Sequence, residues 1–212
     1  LLSSFMKKHL FFYLCLLVFI LSLLSKELLN LDDLVISSSA EQLTNDQIKE
    51  IISFQENWEW ISYVILLLFL SIKIVVVAVI LDAGCFFFEK EIKFKILLTI
   101  VIQSEFIFLL VIIFKTLWFY VFHQNFTLED TQYFYPLSLL NLIDYQGLSS
   151  WWIYPLQVLN LFEVAYWFVL SYLLGKELKT TTSKGFSIVA SSYGVGLLIW
   201  VGAVMFLTLN MS

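Results

Sequence analysis

The sequence predicts an all-α fold: a polytopic membrane bundle of five transmembrane helices, N-terminus inside and C-terminus outside, with a short interfacial helix before the fourth span. Three observations predict it. Of 212 residues, 60% are hydrophobic and 14% charged, with a mean hydropathy of +0.89; soluble domains run at about 45–50% apolar and about 25% charged. Five apolar runs have the length of bilayer crossings, which need about 20 residues each. The lysines are distributed unevenly among the segments joining those runs. With short connections, one domain over residues 1–212 is enough.

The first span, about 9–24, follows Lys7 and Lys8 and has the outline of a signal peptide if translation starts at Met6. No small-x-small cleavage site precedes Lys26, and residues continue upstream to Leu1, so it reads as a retained anchor. The outer loop at about 25–59 contains its own helix. Thr44 is placed to cap it, with Gln47 three residues on, and Ile48, Ile51, Ile52 and Gln55 follow at helical spacing into the second span, about 60–81. The third span is about 94–121, the second outer loop about 122–151, the fourth span about 152–174 and the fifth about 186–209. All are helices because backbone polar groups cannot be left unpaired in hydrocarbon.

Orientation follows from lysine. All 12 basic residues are lysine. With the N-terminus inside, Lys7, Lys8, Lys90, Lys93, Lys95, Lys176, Lys179 and Lys184 are cytoplasmic, against Lys26 and Lys49 outside, while Lys73 and Lys115 fall within spans. The outer segments are acidic, with Glu27, Asp32, Asp33, Glu41, Asp46, Glu50, Glu56, Glu129, Asp130 and Asp144. The absence of arginine argues against nucleic-acid recognition and fits an AT-rich bacterial genome.

Both prolines lie in copies of one phrase: Tyr135-Pro136-Leu137-x-x-Leu140-Asn141-Leu142 and Tyr154-Pro155-Leu156-x-x-Leu159-Asn160-Leu161. Proline suits the first turn of a helix, so each copy is predicted to start one near the outer interface, with Tyr135 and Tyr154 at headgroup level beside the Trp151-Trp152 pair. The second copy opens the fourth span. The first is too short to cross and lies along the interface or dips in and returns. Asn141 and Asn160 are candidates to cap or cross-link the two copies.

This order, from Phe134-Tyr135-Pro136-Leu137-Ser138-Leu139-Leu140-Asn141 through a short acidic loop to Tyr154-Pro155-Leu156-Gln157-Val158-Leu159-Asn160-Leu161-Phe162-Glu163, resembles bacterial members of the Yip family of five-span membrane proteins. The resemblance covers the third to fifth spans, including Gly194-Val195-Gly196. Eukaryotic Yip relatives act in vesicle traffic and engage prenylated small GTPases; for a bacterial relative the resemblance implies membrane organisation or partnership.

The main candidate site is a set of mid-depth charges. From the inner loop near Phe88, Lys73 lies 15 residues back and Glu105 17 forward, so at about 1.5 Å per residue both reach similar depth on adjacent antiparallel helices. Glu163 is 11 residues below Trp152, and Asn160, Glu163 and Trp167 share one helix face. Charges at this depth are expensive, so Lys73 is expected to face the interior with Glu105 or Glu163 as its nearest acid. One reading is an ion path with Glu105 and Glu163 as relay carboxylates; the other is a salt bridge that fixes helix register, the second carboxylate being protonated. Lys115 is expected to snorkel outward.

Other residues point to packing. Ser187, Ala190, Ser191, Gly194 and Gly202 put small side chains on one broad face of the fifth helix, which permits close approach. His9 and His123 lie near opposite faces, too far apart to share a metal, and Cys15 and Cys85 fall in or beside apolar segments, which suits neither a disulfide nor a cysteine metal site. Asn125-Phe126-Thr127 and Asn210-Met211-Ser212 match the glycosylation pattern by composition of three residues only. No nucleophile, metal or nucleotide motif is present. The expected function is therefore a non-enzymatic inner-membrane protein without cofactor, a scaffold or accessory subunit whose partners are the lipid bilayer and other membrane subunits or further copies of itself; the alternative is a small transporter or proton or ion pathway.

Overall fold

The computed structural model describes residues 2–40, 45–123, 125–143 and 147–211; the Thr44 cap, the Asp144-Tyr145-Gln146 part of the acidic loop and Ser212 lie outside them. The chain is all-helical, 86% helix with no strand among the described residues. In order, the helices are α1 (Leu2–Leu28), α2 (Leu31–Ala40), α3 (Asn45–Phe87), α4 (Phe94–Leu117), α5 (Leu128–Tyr133), α6 (Ser150–Val158), α7 (Leu161–Glu177), α8 (Thr182–Val189) and α9 (Val195–Met211). A π turn at Trp118–Phe122 extends α4, and another at Ala190–Gly194 joins α8 to α9 without interruption.

Four helices are long and apolar enough to cross a membrane: His9–Leu28, Asn57–Phe87, Phe94–Phe122 and Thr182–Met211. They make this an integral membrane protein by length and composition. The acidic segment after α1 leads into the second long helix, since α3 begins at Asn45 and runs unbroken into its apolar part. It is held by charge: Lys26 of α1 pairs with Asp32 of α2 at 2.8 Å and with Glu59 of α3, and Gln55 donates to Asp32 at 2.6 Å.

α4 lies at the centre, packed against α1, α3 and α7, while α8 packs on α7 and α6 on α9. The core forms at helical spacing: Ile74, Val77, Ala78, Leu81 and Cys85 of α3 meet Leu97, Ile100 and Val101 of α4, with Tyr166, Leu170 and Leu174 of α7 closing it. Gly185 sets the α7–α8 distance, because a Cβ there would run into the Ser171 backbone carbonyl.

The expected fourth span differs. It is two helices, α6 and α7, interrupted at Leu159 and Asn160. Pro155 lies inside α6 rather than at its start; it removes one backbone donor and crowds the turn before it, while the helix continues past it to Val158. The local cause of the break is Asn160, which takes over as N-cap of α7, its Oδ1 accepting from the Glu163 N–H at 2.8 Å while its Nδ2 donates to the Gln157 and Val158 carbonyls at 2.8 and 3.0 Å.

The first copy of the phrase also departs from expectation. Pro136 opens no helix; Tyr135 to Ser138 form a turn closed by the Ser138 N–H on the Tyr135 carbonyl at 3.3 Å, with Leu137 at a positive φ of 55°. Those φ signs are those of a type II turn, whose third position favours glycine. A single 3-10 turn, Leu139–Leu142, follows in place of the expected interfacial helix. Ser138 pairs antiparallel with Asn160: the Leu139 N–H donates to the Leu159 carbonyl at 2.9 Å, and the Leu161 N–H to the Leu137 carbonyl at 3.2 Å. The first copy thus satisfies the backbone groups that the break in the second sets free, as a low-dielectric surrounding demands. Asn141 and Asn160 do not bond each other; Asn141 closes its own turn by donating to the Tyr135 carbonyl at 2.7 Å.

Candidate functional site

Below this pairing, α3, α4, α7 and the α8–α9 π turn bring polar side chains into the apolar core. Lys73 Nζ lies 2.8 Å from Glu105 Oε2 and 3.9 Å from the centre of the Phe108 ring. Glu105 is almost completely enclosed, its side chain 2% exposed, while that of Lys73 is 42% exposed. The other oxygen, Glu105 Oε1, accepts from the Tyr166 hydroxyl at 2.9 Å. Both carboxylate oxygens therefore have partners, one charged and one neutral, as a carboxylate buried this completely requires.

Glu163 is held differently. Its Oε1 accepts from the Tyr193 hydroxyl at 2.7 Å and from the Trp167 indole N–H at 2.9 Å. Its place in the first turn of α7 sets it against the positive end of that helix. Among the described residues no basic group stands at ion-pair distance from it. The two carboxylate groups adjoin through their tyrosines, the rings of Tyr166 and Tyr193 meeting edge to face at 5.4 Å. The π turn brings Tyr193 and Gly194 inward together; a Cβ on Gly194 would stand 2.5 Å from the Trp167 ring.

The repeated phrase closes the site from the other end. Tyr135, outside the four long spans, lies within electrostatic reach of both acids: burial first, then the charges of Glu163 and Glu105, push its phenol up to about 12. Tyr154 accepts from the Trp200 indole of α9 at 2.8 Å, and Gln157 donates to the Tyr133 carbonyl at the end of α5 at 3.0 Å. Ser138 Oγ is buried without a hydrogen-bond partner among the described residues. Lys115 reaches the Thr131 carbonyl of α5, a protein acceptor.

Lys73, Glu105, Glu163 and Asn160 thus fall in one region, with Tyr135 beside them and Pro136, Pro155, Asn141 and Tyr154 shaping the adjoining break. The expected packing set separates: Gly194 is buried against Trp167, whereas Ser191 is exposed and a Cβ on Gly202 would meet nothing within 4 Å. Beyond the π turn, α9 packs chiefly along α6 and buries no residue. Tyr166, Tyr193, Ser138, Gln157 and Gly185 escaped the sequence reading. For the two tyrosines a signal existed, since a phenol inside an apolar run needs a partner for its hydroxyl.

The arrangement can lock four helix segments together through charge and hydrogen bonds, or hold an acid that exchanges a proton. Compared with protein families, with curated proteins and with solved structures, the chain matches none of them.

Proposed function

We propose that this chain is a non-enzymatic integral membrane component, a scaffold or accessory subunit of a larger assembly in a bacterial inner membrane. It crosses five times, N-terminus inside and C-terminus outside, the fourth crossing being α6 and α7 together. Lysine asymmetry supports the orientation: Lys90, Lys93 and Lys95 adjoin the α3–α4 turn, and Lys176, Lys179 and Lys184 the α7–α8 turn. The similarity of the repeated phrase to the Yip family supports a role in membrane organisation.

The observation that carries the reading is α9. Leu198, Ile199, Phe206 and Leu207 are 58–73% exposed, and Gly202 offers open space among them. A neighbouring helix could approach closely there, while the interior polar groups are occupied with one another. Purification in mild detergent followed by native mass spectrometry tests this: stoichiometric protein partners, or a defined homo-oligomer, support it, and a homogeneous monomer contradicts it.

A second reading, a proton or ion pathway, is favoured by one observation: the helix break at Asn160 adjoins Glu163, an acid with neutral donors only. Interrupted membrane helices with an ionisable group at the break recur in transporters. Reconstituted protein then gives a pH-dependent flux that Glu163→Gln abolishes; no flux from the parent protein removes this reading.

A further inference from the structure

A cavity of about 500 Å³ opens at the end of the bundle where α1 and α4 finish their apolar runs, between the α1–α2 turn, the Trp118–Phe122 π turn and the segment before α5. Its lining includes Asn30, Asp33, Leu34, Phe119, Tyr120 and Phe126. Three of these are aromatic, and the Phe119 and Phe126 rings meet at 4.7 Å.

The charge at its rim is the informative part. At this end of the bundle Lys26 is taken up by Asp32 and Glu59, and among the described residues Asp33 makes no ion pair. A carboxylate without an ion-pair partner in a cavity lined by aromatic residues is complementary to an ammonium group, since a carboxylate and ring quadrupoles attract the same charge. The level of the cavity selects among sources of ammonium. Leu28 and Phe122 end two of the membrane-crossing helices, so the cavity sits where lipid headgroups lie.

We infer that this cavity binds the ammonium headgroup of a zwitterionic phospholipid, with the ammonium against Asp33 and the aromatic wall, the phosphodiester towards the Asn30 side-chain amide, and the acyl chains leaving along Leu34 and the bundle surface. A free amine gains nothing from that depth or from the apolar lining. An anionic headgroup meets Asp33 as a like charge.

The full chain, purified in mild detergent, is exchanged into nanodiscs holding equal amounts of phosphatidylethanolamine and phosphatidylglycerol, and retained lipid is counted by native mass spectrometry on release. The expected result is one retained phosphatidylethanolamine per chain, with Asp33→Asn reducing its preference about tenfold, the factor for one lost charge contact of about 1.4 kcal/mol. Asp46→Asn, which removes an equal charge from the start of α3, leaves the preference intact. Phosphatidylcholine in place of phosphatidylethanolamine reports whether the aromatic wall suffices for a quaternary ammonium; its retention above phosphatidylglycerol also supports the site. Equal retention of both lipids, preference for phosphatidylglycerol, or the same loss with Asp46→Asn overturns it.

Discussion

The Leu139 N–H donates to the Leu159 carbonyl at 2.9 Å, joining two segments that carry the same phrase. A membrane helix can be interrupted only where something else pairs its exposed backbone. Here the partner is the other copy of the phrase, held in place by the turn at Pro136 and Leu137. The break in turn puts Asn160 and Glu163 at the start of α7 and beside the π turn that carries Tyr193.

The turn itself provides the first prediction. Leu137 has φ 55° and is 54% exposed. The left-handed region costs an ordinary residue about 1–2 kcal/mol and costs glycine far less, although glycine gives back about 0.5–1 kcal/mol in chain entropy. Leu137→Gly is expected to stabilise by up to about 1 kcal/mol, read as a higher midpoint of thermal unfolding in detergent. A lower midpoint would show that the Leu137 side chain matters more than its backbone strain.

Gly185 and Gly202 should behave oppositely. Gly185→Ala drives a Cβ into the backbone of Ser171, and overpacking of this kind costs about 1–3 kcal/mol. Gly202→Leu meets open space in the single chain, so the fold is retained, but a neighbouring helix seated on α9 is displaced. Unfolding midpoints measure the first effect and retention of partners in mild detergent the second. Unchanged retention with Gly202→Leu rules out that part of α9 as the contact.

Tyr193→Phe removes one of two donors to Glu163 Oε1. Deleting a hydrogen bond to a charged or strongly polar buried group costs about 1–3 kcal/mol. The loss is expected in the unfolding midpoint, and Glu163→Gln, which keeps an oxygen for Trp167 and Tyr193, is expected to be milder. Equal damage from the two substitutions would mean that the carboxylate itself, not its hydrogen bonding, is what the fold uses.

The ionisable groups of the polar cluster, Lys73, Glu105 and Glu163, were legible in the sequence, whereas the tyrosines that hold the two carboxylates and the path of the backbone were not. Lys73 and Glu105 could be matched by depth because α3 and α4 are continuous helices through that stretch and joined by a short turn, so residue counts translate directly into height. The break at Asn160 was missed because the stretch around it is apolar on average, although Gln157, Asn160 and Glu163 interrupt it; mean hydropathy measures preference for lipid and says little about helix continuity. Its signal was local: Asn160 followed three residues later by Glu163 is an N-cap pattern. Ser191 and Gly202 have no close neighbour within the chain for different reasons. Ser191 lies in the π turn and is exposed, its hydroxyl donating to the Ser187 and Ile188 carbonyls, whereas Gly202 lies on α9, which leaves the core after the π turn.

The central claim is that the polar interior holds the bundle together, and the most direct measurement compares Lys73→Met with Lys73→Met combined with Glu105→Gln. Lys73→Met alone leaves Glu105, 2% exposed, without its cation; breaking one side of a fully buried pair costs about 3–5 kcal/mol, and the half-exposed Lys73 makes that the upper bound here. In the double variant no charge is stranded, and the amide oxygen introduced by Glu105→Gln can accept from Tyr166 as the carboxylate oxygen does. Thermal unfolding in detergent is expected to show a large loss for Lys73→Met and recovery of most of it in the double variant. A double variant no more stable than Lys73→Met would contradict the account, since it would mean that the pair is not what Lys73 contributes.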